Sequence, residues 1–489
     1  MRPTKRQVLE TLSFGRRIAE DEADALSRYF VETETWRQLD AGEVDVVYAP
    51  KGGGKSALYA LLTHGSAARR ERGVIVVACE EVRGAPAFEQ LKADPPTTEA
   101  EFRLLWSTYF LSLIARVLLD EQLESPEAKR VISRLRDLGL VDEPFTIGGM
   151  FRKAASLARR IRLEPQLTFD DSGKTTFSAS ARLEAPSPST PGGTALLALF
   201  TAADTALEKA GLTVWLALDR LDVAFADEPS LETTALRSLF QIYRALEAHS
   251  RIGFKVFLRS DIWASLTGER FREASHITRE QNLRWSPDTL LNLLVRRAAE
   301  NIPLLEYYAL DKTRLLESLS EQRSFCSGSL LEPVETPSRR LAAFDWLMTV
   351  LRDGTGRVSP RDVIHFMTNA REAQLSNLQL GGAPPGGDYM FGMAVYLRAF
   401  RDVAVFRMQR SFYAEHPKLR AYVEALEGAP SRLDVALLQR RWGIDYRTTV
   451  EISRRLSELG ILEPRRRADR LDFRMPPLTQ RGLTRANGI

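Results

Sequence analysis

The sequence predicts an α/β protein built on a parallel β-sheet with flanking helices. Three apolar runs, at residues 44–48, 212–218 and 253–258, are long enough for strands and rich in β-branched and aromatic residues. Such nearly unbroken runs are typical of strands that are buried on both faces of a parallel sheet. Each run is followed by glycine or polar residues. Because the carboxyl ends of parallel strands meet at one edge, we expect these residues to form one site.

The segment after the first run carries the strongest motif. Residues 49–56 read Ala-Pro-Lys-Gly-Gly-Gly-Lys-Ser, which matches the P-loop pattern G-x-x-x-x-G-K-[ST] except that alanine stands first. The glycines allow main-chain N–H groups to converge on one anion, and the helical pattern that follows adds its positive N-terminal end. The alternative, a glycine-rich turn with a surface lysine, leaves the strand and helix around it unexplained. The segment therefore predicts binding of nucleotide phosphates.

Individual residues of this motif have expected roles. Lys55 is expected to reach the β- and γ-phosphates, and the Ser56 hydroxyl to ligate Mg²⁺. ATP is preferred over GTP because no separate guanine-reading motif is apparent. The predicted cofactors are ATP and Mg²⁺. The predicted nucleotide-binding residues are Ala49, Pro50, Lys51, Gly52, Gly53, Gly54, Lys55, Ser56 and Ala57.

The second apolar run ends at a carboxylate, Asp219. At the end of a parallel strand this side chain could hold Mg²⁺ through water, as a Walker-B aspartate does. The alternative is a helix N-cap. Arg220 stands where many ATPases have a catalytic glutamate, which leaves Asp222 or Glu228 to orient the attacking water. We therefore expect slow hydrolysis, or a nucleotide that is used as a switch.

Two arginines are candidate sensors of the γ-phosphate. Arg259 follows the third apolar run, and Arg361 lies in the first turn of a predicted helix with Ser359 as cap and Pro360 at its first position. An arginine at either place could read the phosphate charge. The alternatives are a surface arginine after a strand and a solvated helix residue. The predicted catalytic residues are Asp219, Asp222, Arg259 and Arg361.

These pieces, in this order, resemble the AAA+ and STAND group of P-loop ATPases, within it the branch that contains origin-recognition ATPases. Leu258-Arg259 resembles the arginine-bearing sensor-1 of the STAND branch, and Ser359-Pro360-Arg361 resembles the lid motif whose arginine is sensor-2. Residues 13–22, the loop and the tetrad 219–222 are also similar to stand-alone bacterial P-loop ATPases. The resemblance implies an ATP-dependent switch, assembly as a homo-oligomer and a role in bacterial antiviral defence.

The length of 489 residues predicts two to four domains. A segment foreign to a minimal P-loop fold, with a β-hairpin signal, is interpreted as an insertion. A run of glycines and prolines after residue 380 marks the plainest boundary. The predicted domains are a helical segment (1–40), a P-loop core (41–277) with its insertion (143–193), a helical lid (278–380) and a basic C-terminal domain (388–489).

The C-terminal domain has the pattern of a winged helix. Two predicted helices, at 433–441 and 446–459, precede a predicted hairpin with a basic turn. Residues 430–489 hold 13 arginines and 7 acidic residues, a net charge of +6 that leaves −2 on the remaining 429 residues. This asymmetry suits contact with phosphates, although winged helices also bind proteins. The candidate DNA-contacting residues are Arg447, Arg454, Arg455, Arg465, Arg466 and Arg467.

Composition excludes several other classes. No secretory signal and no unbroken apolar run of about 20 residues is visible, so no membrane partner is expected. Two cysteines and five scattered histidines give no disulfide framework and no zinc pattern, which suits a cytoplasmic protein.

The leading hypothesis is an ATP-binding switch that acts on DNA or a partner effector protein. One alternative is a non-hydrolysing, ATP-dependent scaffold, which Arg220 favours. Another is a DNA-binding protein with a vestigial P-loop, which the intact Gly54-Lys55-Ser56 disfavours.

Overall fold

The computed structural model describes residues 2–15, 26–64, 67–79, 98–141, 161–164, 167–169, 175–177, 180–183, 196–221, 229–268, 277–335, 340–467 and 470–484. The chain divides into two compact units. The sheet unit comprises Glu34–Pro50 and Lys55–Leu283, and the helical unit comprises Met1–Thr33, Lys51–Gly54 and Arg284–Ile489. The tip of the predicted P-loop thus belongs to the helical unit, and its flanks belong to the sheet unit.

The described strands of the sheet unit form one five-stranded sheet and two short pairs. They are β1 (Val46–Ala49), β2 (Val74–Ala78), β3 (Ile161–Glu164), β4 (Leu167–Phe169), β5 (Thr175–Phe177), β6 (Ser180–Leu183), β7 (Thr213–Leu218), β8 (Ile252–Arg259) and β9 (Glu280–Asn282). The large sheet has the order β2-β7-β8-β1-β9, and all four of its pairings are parallel. This confirms the predicted α/β class, and the strand that leads into the glycine-rich loop lies inside the sheet.

Helices precede, connect and follow the strands of this sheet. They are Glu34–Asp40, Lys55–His64, Ala67–Glu71, Glu99–Asp120, Pro126–Asp137, Leu196–Lys209, Pro229–Leu246 and Ser260–Gly268. Their apolar faces and the strands share one core, in which Trp106 stacks on Phe110 and Phe110 meets Phe254 edge-on. Burial of such large aromatic side chains contributes roughly 1.5–3 kcal/mol each before entropy is counted.

Helix Glu99–Asp120 is, among the described helices, the one long and apolar enough to cross a membrane. Its most apolar window is 83% buried inside the structure. That burial is typical of the central helix of a core, and the Thr98 side chain caps it by accepting from the Glu101 N–H.

The predicted insertion contains two described strand pairs. The β4–β5 pair confirms the hairpin predicted around residues 170–173, and β3 pairs antiparallel with β6 in addition. The sequence also predicts a basic amphipathic stretch from Met150 to Ile161, which lies outside the described residues up to residue 160.

The helical unit is built from short helices around two apolar clusters. Its α-helices are Lys5–Thr11, Pro287–Ala298, Ile302–Tyr308, Lys312–Glu317, Leu319–Phe325, Ala343–Val350, Pro360–Gln379, Tyr396–Phe406, Tyr413–Glu415, Arg420–Glu424, Val435–Trp442, Tyr446–Glu458 and Pro477–Leu483. Further turns are the 3₁₀ segments Ser27–Tyr29, Met393–Val395 and Pro417–Leu419 and the π segments Cys326–Leu330 and Arg407–Phe412. Its strands are β10 (Val334–Glu335), β11 (Arg340–Leu341), β12 (Arg432–Asp434), β13 (Glu463–Arg467) and β14 (Arg470–Arg474).

Two helix predictions need correction. The sequence predicts a long helical pattern from Thr278 to Asn301, but the helix begins only at Pro287, because residues 280–282 pair with β1 as the edge strand β9. Three polar residues in a row give no apolar signal for a strand, so the sheet extends beyond the predicted core boundary at 277. The sequence also predicts one helix from Tyr389 to Tyr413. This prediction is wrong as one element, because the segment is divided into 3₁₀, α and π segments.

The chain's first residues pack on the predicted lid. Arg371, in the helix Pro360–Gln379, donates to the carbonyl oxygens of Leu9 (2.7 Å) and Glu10 (2.9 Å). These bonds satisfy carbonyls at the end of helix Lys5–Thr11.

The last described residues have the arrangement of a winged helix. Helix Val435–Trp442 ends at Gly443 in the left-handed conformation (φ 66°), and helix Tyr446–Glu458 begins after its cap Asp445. Gly460 (φ 76°) ends that helix, and β13 and β14 form the antiparallel hairpin. β12 adds a third strand in the order β12-β14-β13.

Candidate functional site

The candidate site begins where β1 ends in the sheet unit. The register pairs Ala49 with Arg259 on β8, so both residues lie at the same edge of the sheet. Lys55 opens the helix Lys55–His64, and its ammonium donates to the carbonyl oxygens of Ala49 (2.9 Å) and Pro50 (3.4 Å). The predicted phosphate-binding lysine therefore lies over the start of its own loop, and these two described bonds are to carbonyl oxygens.

Asp219 directly follows β7 at this same edge and is 3% exposed. Arg220, the next residue, has φ +57°, a left-handed conformation that a residue with a side chain rarely adopts. Such backbone strain costs about 1–3 kcal/mol and is found mostly where function requires it. The predicted water-orienting candidates Asp222 and Glu228 both lie outside the described residues.

Arg259 is engaged by a neighbour. Its guanidinium forms a two-pronged ion pair with Asp261, through Nε (3.1 Å) and a terminal nitrogen (2.8 Å). Sequence reasoning missed this pair, although an acid two residues after the arginine, at the start of helix Ser260–Gly268, is a signal that could have revealed it. A phosphate contact by Arg259 requires this pair to open or to be shared.

The tip of the loop is fixed by side chains of the helical unit. Gly52 (φ +78°) and Gly54 (φ +100°) hold left-handed conformations that favour glycine. The Ser359 hydroxyl donates to the Gly52 carbonyl at 3.0 Å, and the Trp285 indole N–H donates to the Gly53 carbonyl at 2.8 Å. The loop tip is thus held from outside by two uncharged donors.

Lys51, the remaining cation of the loop tip, forms an ion pair with Glu415, which is itself only 18% exposed in its side chain. This pair joins the tip to the helix Tyr413–Glu415 of the C-terminal region. Its charge is already balanced before any ligand is considered.

Arg361 lies beside the loop tip. A Cβ on Gly52 would stand 2.8 Å from Ser359 Oγ and 3.2 Å from Arg361 Cβ, so only glycine fits. Within the described ranges, the Arg361 guanidinium has no hydrogen-bond or ion-pair partner. A partly exposed cation without a partner, next to a glycine cradle, is suited to binding an anion.

Trp285, Glu415 and Asp261 are site residues that the sequence prediction did not name. Trp285 stands just before the helix cap Ser286, where it fits no periodicity. Glu415 is separated from Lys51 by hundreds of residues, so only tertiary structure pairs them.

The loop and its surroundings fit a magnesium-bound nucleotide by chemistry. In the helical unit, the cradle glycines and Arg361 suit phosphates. In the sheet unit, Lys55 suits phosphates, and the Ser56 hydroxyl and the Asp219 carboxylate are hard oxygen donors of the kind Mg²⁺ prefers. Within the described part of the chain, no cluster of three or more His, Cys, Asp or Glu side chains could hold a metal by itself. A metal here would depend on phosphate oxygens.

The candidate DNA-contacting arginines differ in their surroundings. Arg447 and Arg454 are exposed on one face of helix Tyr446–Glu458. Arg455 pairs with Glu458 (3.0 Å) and Arg465 pairs with Glu463 (2.9 Å), which balances part of the charge. The side chains of Arg466 and Arg467 lie outside the described residues.

Comparison with known proteins gave one kind of match. No protein-family model matches the chain, and no curated protein matches it. The fold is similar to solved structures of the ORC2 protein of Aeropyrum pernix. The structure of its ADPNP-ADP complexes has a TM-score of 0.42 and 15% identity over 98% of this chain and 96% of that one. The structure of its ADP form has a TM-score of 0.32 and 14% identity over 97% of this chain and 94% of that one.

Proposed function

We propose that this chain is an ATP-binding molecular switch of the AAA+/STAND type that hydrolyses ATP slowly and signals through its C-terminal winged helix. One observation carries the proposal. The first turn of helix Pro360–Gln379 holds Arg361 against the loop glycine Gly52, with no partner for its guanidinium within the described residues. A γ-phosphate at the loop would supply that partner.

The proposed phosphate contact of Lys55 replaces a weaker one. Lys55 would leave the Ala49 carbonyl for the β- and γ-phosphates, because an ammonium is attracted more strongly to a charged phosphate oxygen than to a neutral carbonyl oxygen. Ser56 and Asp219 would hold Mg²⁺, which neutralises phosphate charge when it is bound. Arg361 would contact the γ-phosphate and thereby distinguish ATP from ADP.

Slow hydrolysis is supported by the residue after Asp219. A rapid ATPase needs a base or water-orienting side chain near the γ-phosphate. Arg220 occupies that place with a left-handed backbone, so orientation of the water would depend on Asp222 or Glu228. The same arginine supports the second candidate, a scaffold that binds ATP without hydrolysing it.

The switch has a physical route to the C-terminal region. Asp362, next to Arg361, forms a partly buried ion pair with Arg407 at 2.5 Å. Arg407 also pairs with Asp353 at 3.0 Å, and these two carboxylates hold the pKa of the Arg407 guanidinium above its usual value despite its burial. Beside Asp353, the Gly354 N–H donates to the Gly460 carbonyl at 2.7 Å, at the end of the winged-helix segment Tyr446–Glu458.

The proposed output is contact with DNA or with a partner effector protein. Exposed Arg447 and Arg454 support DNA, whereas the Glu458 and Glu463 pairs reduce the available positive charge and support a protein partner. A steep loss of affinity with salt would identify DNA. Assembly as a homo-oligomer and a role in bacterial defence remain proposals that rest on the motif resemblance. A reducing, cytoplasmic setting is proposed from two free, buried cysteines.

The test compares ATP binding and turnover by wild type and by Lys55→Ala, each with and without DNA. Binding with slow turnover, both lost in the variant, supports the switch; binding without turnover supports the scaffold; no binding by wild type contradicts both. The matched control is Lys129→Ala, which removes an exposed lysine from helix Pro126–Asp137.

The proposed coupling has its own test in Asp362→Asn. The variant should bind ATP within about threefold of wild type, since the removed charge faces Arg407 rather than the loop. In wild type, ATP should change hydrogen exchange in β13 and β14, and in the variant this change should be lost. Asp402→Asn, an exposed acid on helix Tyr396–Phe406, is the control. If ATP changes hydrogen exchange in β13 and β14 of Asp362→Asn as much as in wild type, the proposed coupling is wrong.

A further inference from the structure

We propose that Trp285 and Ser359 are positioning residues, which aim the main-chain N–H groups of Gly53 and Gly54 at the bound phosphates. This inference rests on the proposed nucleotide site. Neither side chain is expected to touch the ligand. Both act on successive carbonyls of the loop tip, Gly53 through the indole N–H at 2.8 Å and Gly52 through the hydroxyl at 3.0 Å.

The geometry of the peptide group supplies the argument. A trans peptide is planar, so its C=O and the N–H of the next residue point in opposite directions. A Gly52 carbonyl that points to Ser359 therefore turns the Gly53 N–H away from Ser359. The same holds for the Gly53 carbonyl, Trp285 and the Gly54 N–H.

Left-handed conformations at Gly52 (φ +78°) and Gly54 (φ +100°) give the loop the alternation found in anion-binding nests. Ordering the backbone of a residue costs conformational entropy, and glycine has the most freedom to lose. The bonds to the Gly52 and Gly53 carbonyls order the loop before the ligand binds, so less entropy is lost on binding. Affinity gained in this way is preorganisation rather than direct contact.

The hydroxyl of Ser359 is used differently from those of other serines at helix starts. Ser359 is the N-cap residue of Pro360–Gln379, yet its side chain accepts no bond from that helix and donates to Gly52 instead. Ser286, the N-cap of Pro287–Ala298, accepts from the Thr289 N–H in the usual way. The Ser359 hydroxyl bonds to a loop carbonyl and not to an N–H of its own helix. Such a hydroxyl is better explained by a role at the loop than by helix stability.

Trp285 combines an anchored ring with a directed donor. Its ring is partly buried against the apolar cluster of the helical unit, which limits its rotamers. Its indole has one donor and no acceptor, so the bond to Gly53 is the one hydrogen bond this side chain can make.

The test measures the Kd for Mg²⁺-ATP of the full chain in single variants. Trp285→Phe keeps an aromatic ring, although a smaller one, and removes the donor, and Ser359→Ala removes the hydroxyl. Each is expected to weaken binding about fivefold, the effect of one net hydrogen bond. Ser359→Thr, which keeps the donor, should restore binding to within about twofold.

Two controls separate positioning from stability. Ser286→Ala removes a helix cap without a bond to the loop, and Trp346→Phe changes a tryptophan that stacks on Tyr396. Both should lower the melting temperature without changing the Kd. In the unliganded chain, hydrogen exchange at Gly53 and Gly54 should be faster in Trp285→Phe than in Trp346→Phe.

The outcomes distinguish the two proposals. If wild type binds ATP and both Trp285→Phe and Ser359→Ala bind it equally well, this inference is wrong and the nucleotide site stands. If wild type binds no ATP, the proposed function fails and this inference fails with it.

Discussion

Two lysines, one at each end of strand β1, are held in opposite ways. At the start of β1, the Lys255 ammonium donates to the Val44 carbonyl (2.6 Å) and to the Asp45 carboxylate (2.9 Å), and the residue is 1% exposed. After the end of β1, the partly buried Lys55 donates to the carbonyl oxygens of Ala49 and Pro50. The first lysine is fixed by an opposite charge, whereas the bonds described for the second are ones that a phosphate can replace.

Several contacts fix the Lys255 side chain in place. Its ammonium lies 4.4 Å from the centre of the Trp215 ring, and Asp45 also accepts from the Tyr243 hydroxyl at 3.0 Å. Burial lowers the pKa of Lys255, and Asp45 opposes that shift. Gly253 makes room for the tryptophan, since a Cβ there would stand 3.1 Å from Trp215. The comparison shows that the residue type alone does not tell whether a lysine stabilises the fold or binds a ligand. The acceptors of its ammonium group are more informative.

The largest expected effect is loss of stability in Lys255→Met. Removal of one partner from a buried ion pair typically costs about 3–5 kcal/mol, because the other charge stays buried. The free energy of unfolding, measured in denaturant, should fall by about this amount, while the Kd for ATP of the folded variant stays within about threefold. Lys209→Met, which breaks the exposed pair with Glu127, should cost less than about 1 kcal/mol. Equal losses in the two variants would contradict the comparison.

The second effect is expected in Lys55→Ala, which should lose affinity for ATP and keep its stability. Affinity for ATP should fall at least about 100-fold, because truncation of one partner of a buried charge pair costs about 2–5 kcal/mol. The free energy of unfolding should change by less than about 0.5 kcal/mol, since alanine is the better helix former. Calorimetric titration and denaturant unfolding of the same preparation check both values. A destabilised protein with intact ATP affinity would reverse the two roles.

The sequence predicted the Lys55 end of β1 much better than the Lys255 end. The P-loop pattern, the three core strands and the helix at Pro360 follow from local rules of glycine, apolar runs and caps. Lys255 interrupts an apolar run, and its partner Asp45 is distant in sequence, so nothing local distinguishes it from a surface lysine. Trp285 and β9 were missed for the same reason, because their roles come from tertiary contacts rather than from periodicity.

A smaller, pH-dependent effect is expected in Glu280→Gln. Glu280 on β9 pairs with Val46, the first residue of β1, and burial raises its pKa although the Trp263 indole donates to it. A carboxyl whose folded pKa is raised adds stability below its unfolded pKa of about 4.5, and this stability is lost as pH rises through the folded pKa. The variant should therefore match wild type near pH 4 and exceed it by less than about 1 kcal/mol at pH 7. Thermal melts across this range check the sign, and a destabilised variant at pH 7 would contradict it.

The last prediction is that the thiols of Cys79 and Cys326 do not react in the native chain. Cys79 lies in the core of the sheet unit and Cys326 in a core of the helical unit, both fully buried, and burial raises the pKa of Cys326 to about 12. Neither should react with iodoacetamide at pH 8 until the chain unfolds. In Lys255→Met, Cys79 should react before Cys326, and the opposite order would place the lost stability in the wrong unit.

The central claim, that residues 49–56 bind the phosphates of a nucleotide, is tested most directly by calorimetric titration of the wild-type chain in Mg²⁺ with ATP, ADP and adenosine. The account predicts saturable binding of ATP at one site, weaker binding of ADP because Arg361 loses its phosphate, and no measurable binding of adenosine. Adenosine that binds as tightly as ATP, or no saturable heat with ATP, would contradict it.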